Sequence, residues 1–403
     1  MGDFFGLLII FFLMAYIYLS PVFRSEKGIF TLIFILLAVR VGIAAWNGFV
    51  GPTLGADSDA LQFFEEAVDL KNAGILTLGS GVRVYSQFLG YFMWIGESIF
   101  LACILSVAAF TFSAKHLLDI CDSIDRGPFK FHILLSFGLL PSMILFGSVM
   151  LRESFQILFF IFSMKSFITF YIDRKIVHYF LGILSLFLMG SLHEALLIIA
   201  ILILPIITLF NYNKIGSWPI YSKGKLYSYF LLIIVTLTSF AILPFVIEEL
   251  SIISALDGGD ITRYVLNYRE SLVGLGSRSA YDAALNFSSF GSFVSSTFVV
   301  LIHYLYYPFP WKVTGFLDIY AFIEVIWRGA LIFFSFKSIF IAKGNMKRLN
   351  ILLLAVYFIM ALVWSSGTSN VGQSLRHNIV HYWILLVLGM PYLMMYLRRL
   401  FKT

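Results

Sequence analysis

Charged residues are scarce in this chain and cysteines are nearly absent. Only 12% of the 403 residues are charged, whereas 60% are hydrophobic; soluble domains contain about 25% charged residues. So much apolar surface cannot be buried in one core, so lipid must cover the rest, and a water-soluble fold is excluded. The two cysteines, Cys103 in an apolar run and Cys121 in a basic segment, imply no disulfide framework.

Several motifs that carry common chemistries are also missing. The sequence has no GxxxxGK[ST] phosphate loop, no GxSxG nucleophile elbow, no dinucleotide-binding glycine pattern and no run of His or Cys with metal-ligand spacing. We therefore expect neither ATP-driven work nor the use of nucleotide sugars on the cytoplasmic face. The net charge is +6, but Lys and Arg lie in short loops between apolar runs, where they set topology, and no nucleic-acid partner is expected.

Long apolar runs predict an all-α integral membrane protein with about eleven transmembrane helices. The expected location is the inner (plasma) membrane of the cell. The basic loops predict that the N-terminus lies outside and the C-terminus lies in the cytoplasm. We expect one polytopic membrane domain over residues 1–403. The predicted spans are roughly 4–20, 29–47, one within 84–113 after an interfacial or re-entrant helix near 85–96, 131–148, 154–172, 178–191, 195–211, 226–247, 317–340, 349–366 and 378–397.

Two long segments are predicted to be outer loops, roughly residues 48–83 and 248–316. The second contains TFVVLIHYLYYPFPW, which begins at Thr297. If this piece were a full span, the basic residues Lys343, Lys347 and Arg348 would lie outside. We therefore assign it as an interfacial or re-entrant aromatic segment.

With this topology, the unusual polar residues gather on the outer face. Ionisable groups at membrane depth are costly, and they usually line a cavity or pair with one another. A transporter would spread such groups through its spans to serve both faces, so a one-sided distribution favours an enzyme at the outer leaflet. Four further ionisable residues fall within apolar runs and receive no catalytic role. These are Arg40, Glu97, Lys165 and Arg328.

The most informative local pattern lies in the first outer loop. Asp59, Phe63 and Ala67 are spaced by four residues and share one face of a helix that starts near Asp59. A carboxylate there can act as a general base toward a sugar hydroxyl, or Asp57 and Asp59 can simply cap the helix.

This D-x-x-x-aromatic-x-x-x-A pattern resembles the first outer loop of GT-C glycosyltransferases. The family usually has Tyr where Phe63 stands, and its loop normally follows the first span and not the second. The resemblance implies a GT-C-like fold and an acceptor-activating carboxylate at Asp59, with Asp57 as the alternative.

A second pattern combines LPS at residues 140–142, SVMLRES at 148–154 and LHEA at 192–195. It resembles membrane proteins of bacterial surface-polysaccharide clusters, including Wzy-like and EpsG-like repeat-unit polymerases. Arg152 offers a planar fork suited to phosphate oxygens, and Glu153 is a second candidate carboxylate. Alternatively the two anchor helix ends at the interface. His193 is a candidate proton carrier, phosphate ligand or helix cap.

Further cations could complete the donor site. Arg376 and His377 open the last span, and GT-C proteins resemble this in carrying an arginine near the outer end of a late span. The alternative is a purely structural role, in which the Arg376 side chain extends to the lipid headgroups. The long outer loop adds Arg263 and Arg278, which could bind anions beside aromatic residues.

The predicted function is therefore a membrane glycosyltransferase or O-antigen/exopolysaccharide polymerase. It would transfer a sugar or repeat unit from a polyprenyl (di)phosphate, such as undecaprenyl diphosphate, to a lipid-linked glycan acceptor on the extracytoplasmic face. Membrane lipids and a chain-length regulator are the other expected partners. No cofactor is expected, although Asp57, Asp59 and Glu153 could hold a divalent cation. The alternatives are a lipid-linked-oligosaccharide flippase or other transporter, and a membrane O-acyltransferase.

Overall fold

The computed structural model describes residues 1–53, 57–74, 82–215, 280–281 and 283–401. Within these ranges the side chains of residues 57–58, 82–83, 194 and 211–215 are not described. The described residues are α-helical, with no β-strand and one isolated bridge between Ala280 and Asn370. They form two compact units, Met1–Ile168 with Leu184–His193 (unit 1) and Thr169–Ile183 with Glu194–Thr403 (unit 2).

The all-α class and the multi-pass membrane character are confirmed in this coarse form. Seven of the described helices are long and apolar enough to cross a membrane, and three shorter apolar helices accompany them. The predicted span near 226–247 and residues 248–279 of the predicted outer loop 248–316 lie outside the described residues. The count of about eleven spans, the sidedness and the single-domain organisation therefore stay predictions.

Unit 1 contains the N-terminal helices and the start of the central ones. Their bounds are α1 Gly2–Leu19, α2 Pro21–Arg24, α3 Lys27–Phe49, α4 Asp57–Asn72, α5 Val82–Met93, α6 Ile99–Ser123, α7 Lys130–Leu139, α8 Pro141–Phe146 and α9 Glu153–Asp173. Helices α1, α3 and α6 pack on one another. Helix α1 buries few residues and leaves Phe4, Leu7 and Phe11 exposed. An apolar helix with an exposed apolar face requires lipid as its solvent.

The predicted span 131–148 is wrong as a continuous helix. It breaks at Leu140, which is extended (ψ 125°), and the chain continues as the short α8 from Pro141. Proline lacks the N–H that an uninterrupted helix needs, and it pushes the preceding residue out of the helical region.

Arg40 compensates for this break. Its guanidinium is fully buried and donates to the carbonyl oxygens of Leu36 (3.4 Å), Gly138 (2.9 Å) and Met143 (3.4 Å). It also lies 3.5 Å from the ring centre of Phe110. A broken helix leaves carbonyls without intrahelical partners, and in an apolar interior they must be satisfied by another donor. Arg40 therefore has a structural role.

The separate helix expected near residues 85–96 is present as α5, and α6 begins after an interruption at residues 94–98. Ser98 caps α6, because its hydroxyl accepts from the Leu101 N–H at 2.9 Å. Lys115 lies inside α6, although hydropathy and charge alone assign it to a cytoplasmic loop over residues 115–130. Glu97 lies in the interruption, not in a span, and pairs with Lys71 at 2.5 Å.

Unit 2 contains the other helices that the structure describes. They are α10 Ile176–Ser191, α11 Glu194–Ile215, α12 Phe290–Tyr306, α13 Phe316–Ile341, α14 Gly344–Gly367 and α15 Val371–Leu400. Helices α9 and α10 each belong partly to unit 1 and partly to unit 2. The predicted spans 317–340, 349–366 and 378–397 correspond to α13, α14 and α15 with extended ends. The first ten residues of the segment from Thr297 form the end of the 17-residue α12, and the rest follows as a non-α-helical stretch. The relation of this segment to a membrane surface stays a prediction.

Helices α13 and α15 pack closely along their length. The close approach depends on Gly389, because a Cβ there would lie 2.5 Å from the Leu331 carbonyl oxygen and 3.0 Å from Ser335 Oγ. Small residues allow such backbone contact between membrane helices. Unit 2 is therefore built around a tight α13–α15 pair, and α14 packs against both helices.

Candidate functional site

The helix that carries the aspartate motif begins at Asp57, so Asp59 is its third residue and not its N-cap. Phe63 and Ala67 are buried, whereas Asp59 is exposed at the open end of the same face. The i, i+4, i+8 spacing thus anchors the helix through two apolar residues. It leaves a carboxylate at the surface one turn from the buried ring.

The side chain of Arg152, from the turn before α9, packs against this helix. Its guanidinium carbon is 5.5 Å from the ring centre of Phe63, and its Nη1 donates to the Leu192 carbonyl oxygen at 3.4 Å. The side chain is 12% exposed. Residues distant in sequence therefore converge: α4, the turn before α9 and the turn before α11 meet at Arg152.

Glu153 and His193 adjoin the same point. The Glu153 carboxylate is 1% exposed, and its Oε1 lies 3.9 Å from Arg152 Nε. His193 comes directly after Leu192, whose carbonyl oxygen accepts from Arg152. The backbone N–H of His193 donates to the Gly190 carbonyl oxygen at 3.1 Å. Unit 1 thus brings Phe63, Arg152, Glu153 and the His193 turn together, with Asp59 one helical turn from Phe63.

An aromatic layer beneath Arg152 was missed by the sequence interpretation. The Phe63 ring contacts Tyr85 edge-on at 5.1 Å, and Tyr85 lies 5.9 Å from Phe155. Aromatic rings next to a cation exclude water and raise the strength of its charge interactions. The sequence does show that α5 is rich in aromatic residues. No local pattern shows that these residues contact α4 and α9.

Polar residues on the first turn of α9 were also missed. Gln156 is fully buried one turn after Arg152, and neither of its amide atoms has a hydrogen-bond partner among the described residues. The Ser154 hydroxyl is likewise buried without such a partner. Unmet buried polar groups are uncommon, and they mark places where a ligand or water completes the structure. In the sequence, these residues could have been recognised as part of the site because Ser154 and Gln156 follow Arg152 by two and four residues.

A cleft of about 230 Å³ opens beside this region in unit 1. Its lining includes Asn47 in the last turn of α3, Gly51 after α3, Ala60 and Leu61 of α4, and Met150 before α9. Asp59 directly precedes the lining residue Ala60. The cleft therefore lies next to both the aspartate helix and the Arg152 turn.

Helix packing places these elements at one end of unit 1. Helices α1 and α6 begin there, and α3 ends there, because Gly2 lies against Ser98 and Gly48 against Phe100. The cleft, α4 and the turn at 149–152 adjoin the same helix ends. Whether this end of unit 1 faces the outside of the membrane stays a prediction.

Basic residues occupy the opposite end of α6. Lys115 and Lys165 both pair with Asp119, at 2.6 and 2.5 Å, and Lys130 pairs with Asp122 at 2.5 Å. Lys165 is thus held by a carboxylate on a neighbouring helix and does not simply extend toward water. These basic residues lie at the end of α6 away from Arg152.

Arg376 and His377 belong to unit 2, near the start of α15. The His377 ring stacks on Trp364 with 3.8 Å between ring centres, and its Nδ1 lies 3.0 Å from the Thr368 hydroxyl. Both residues are half-buried. His377 therefore ties α15 to the end of α14, a structural role that the sequence interpretation did not foresee.

The remaining predicted residues cannot be placed. Arg263 and Arg278 lie outside the described residues, and so does the side chain of Asp57. Among the described residues no group of three His, Cys, Asp or Glu side chains is arranged to hold a metal ion. The suggested cation site needs Asp57 and is therefore not tested by this arrangement.

Comparison with known proteins adds no family to this description: no model of a protein family matches the chain, and no curated protein is significantly similar to it.

Proposed function

We propose that this chain is a membrane glycosyltransferase, in character a polysaccharide polymerase. It transfers a sugar or repeat unit from a polyprenyl (di)phosphate to a lipid-linked glycan on the extracytoplasmic face. The observation that carries the proposal is the convergence of α4, the Arg152–Glu153 turn and the His193 turn at one end of unit 1. A carboxylate, a partly buried cation and an adjoining cleft are the groups that such a transfer requires.

The proposed chemistry follows from these positions. Asp59 takes the proton from an acceptor hydroxyl, and the oxygen forms a bond to the anomeric carbon of the donor. The bond from that carbon to the phosphate oxygen breaks, and its electron pair leaves with the polyprenyl (di)phosphate. Arg152 stabilises the charge that develops there, because its aromatic surroundings exclude water.

Replacing Asp59 with Asn tests the role of the carboxylate. Variants are introduced into a strain that lacks the gene, and the length and amount of the surface glycan are compared on gels. We expect Asp59→Asn to reduce polymer at least 100-fold, the lower range for loss of a general base. Asp69→Asn is the matched control, because Asp69 is exposed on the same helix.

Equal amounts of folded protein in the membrane are confirmed by size-exclusion chromatography after extraction. Normal polymer from Asp59→Asn would remove this carboxylate from the mechanism. Longer products from purified protein and a defined polyprenyl-diphosphate oligosaccharide would establish the activity directly.

One observation favours transport as a second candidate function. Arg328 is 4% exposed and lies 12 residues from the start of α13, which is about 18 Å along the helix. A charged residue at that depth is typical of a pathway through the membrane. Single cysteines placed at Arg328 and labelled from each side distinguish the two functions, because only a transporter would expose this position to both faces in turn.

A further inference from the structure

Arg328 is a buried cation that forms no ion pair with any residue in the part of the chain that the structure describes. Its Nε and Nη2 atoms are buried and have no hydrogen-bond partner among the same residues. Glu324 lies one turn earlier on α13 and is also buried, but no salt bridge joins the two side chains. Burying an uncompensated charge costs several kcal/mol, so such groups are normally paired.

Three other buried polar side chains whose polar atoms have no described hydrogen-bond partner lie on the helices that pack against α13. His381 is fully buried, and neither ring nitrogen has a hydrogen-bond partner among the described residues; the same holds for the hydroxyls of Tyr304 and Tyr357. The His381 ring lies 4.9 Å from the Tyr357 ring and 6.5 Å from the Tyr304 ring. The charge of Arg328 acts electrostatically on all three side chains.

The cluster draws on four different helices of unit 2, α12, α13, α14 and α15. Such convergence is costly for folding unless something satisfies the polar atoms, because each unmet buried group costs about 1–3 kcal/mol. Ordered water can satisfy hydroxyl and imidazole groups, but it does not neutralise a guanidinium. The missing component is therefore an anion.

We infer that Arg328, Tyr304, Tyr357 and His381 form a binding site for a phosphate group within unit 2. The Nε and Nη2 atoms lie on one edge of the guanidinium, the edge that binds two oxygens of an oxyanion side by side. The two tyrosine hydroxyls and one imidazole N–H supply three further donors. A phosphate has enough oxygens for this donor set, whereas a carboxylate has only two.

The depth of the cluster leaves two possible sources of that phosphate. His381 lies 10 residues from the start of α15 and Tyr357 lies 10 residues before the end of α14, so both are about 15 Å from the ends of their helices. A phosphate carried on an isoprenoid chain can reach this depth from the lipid, and free inorganic phosphate would have to enter from water. The two sources share their chemistry at Arg328, and binding measurements separate them.

The test measures binding to the full-length protein in nanodiscs. Radiolabelled farnesyl monophosphate is the lipid probe, farnesol is the same chain without phosphate, and inorganic phosphate is added as a competitor. We expect Arg328→Met to weaken farnesyl monophosphate binding about 30-fold or more, the effect of removing one partner of a buried charge pair. Arg328→Lys keeps the charge but not the fork, and should weaken binding about tenfold.

Arg398→Met is the matched control, because Arg398 is exposed near the end of α15 and its loss should leave binding unchanged. Without ligand, Arg328→Met should be at least as stable as the original chain, because an uncompensated buried charge has been removed. Competition by inorganic phosphate would show that the phosphate group alone is sufficient. Its absence would show that the isoprenoid chain is required as well.

Three results would overturn the inference: no binding of either phosphate probe, equal binding by Arg328→Met, or binding of farnesol as tight as that of farnesyl monophosphate. The assay measures binding and not sugar transfer. Because the proposed donor site of unit 1 would also hold a polyprenyl-type phosphate, the binding assigned to unit 2 is the part that Arg328→Met removes and Arg152→Met leaves unchanged. Absence of such an Arg328-dependent part would overturn this inference without bearing on the Asp59 site of unit 1.

Discussion

Arg152 can stabilise the fold, serve the proposed reaction, or do both, and replacing it with Met separates these roles when Glu153 is also varied. The Arg152→Met variant keeps a long apolar side chain over Phe63 but loses the charge. It leaves Glu153, a carboxylate with 1% exposure, without the cation at 3.9 Å. The double variant Arg152→Met with Glu153→Gln removes both charges and keeps the shapes.

The magnitude follows from these contacts. Removing one partner of a buried ion pair costs about 3–5 kcal/mol, and the lost cation–π contact adds about 0.5–2 kcal/mol. The 3.9 Å separation and the 12% exposure of Arg152 indicate a weaker than ideal pair. We therefore expect Arg152→Met to lower the free energy of unfolding by about 3 kcal/mol. The double variant should recover to within about 1 kcal/mol of the original, because a neutral amide is far cheaper to bury.

Stability is measured by SDS-induced unfolding in mixed micelles, and activity by the glycan-length assay at equal protein amounts. The single and the double variant should both lose polymer, because neither can stabilise the leaving phosphate. If polymer length returns with stability in the double variant, Arg152 serves only as the counter-ion of Glu153. If stability does not recover, the two side chains are not energetically coupled and the pairing argument fails.

Two further variants test the helix packing on which the units depend. Arg40→Met should destabilise unit 1 by about 2 kcal/mol, because it removes the donor that satisfies the Gly138 carbonyl at the break before α8; an unchanged SDS-unfolding midpoint would show that water replaces the guanidinium. Gly389→Ala should cost about 2 kcal/mol, because the new Cβ would meet the Leu331 carbonyl oxygen at 2.5 Å. Gly372→Ala, in the same helix but with its nearest neighbour at 3.5 Å, should be nearly neutral, and equal losses in the two glycine variants would contradict the close-packing argument.

The sequence alone determined which segments form membrane-type helices. Predicted spans 4–20, 29–47 and 154–172 correspond to α1, α3 and α9 within a few residues. This succeeds because a run of about 20 apolar residues without water must satisfy its backbone internally, and an isolated helix does so by itself. The sequence also contained the signal for the broken span at Pro141, which hydropathy counting overrode.

For the aspartate motif, the sequence predicted the buried face of the helix correctly but not the residue at which the helix begins. The helical spacing correctly placed Phe63 and Ala67 on one buried side. It could not decide that the helix begins at Asp57, because capping depends on the path of the preceding chain. Asp59 was therefore considered as a possible N-cap, although it lies two residues after the first residue of the helix.

Only the tertiary structure decided which polar residues share a site. Arg152 meets Phe63 and Leu192, residues 89 and 40 positions away in the chain, and no periodicity encodes such contacts. The same holds for the contrast between two buried arginines. Both look alike in the sequence, yet Arg40 donates to carbonyls at a helix break, whereas Nε and Nη2 of Arg328 have no partner among the residues that the structure describes. Hydropathy reports how each segment meets lipid, whereas the pairing of charges depends on the positions of distant helices in three dimensions.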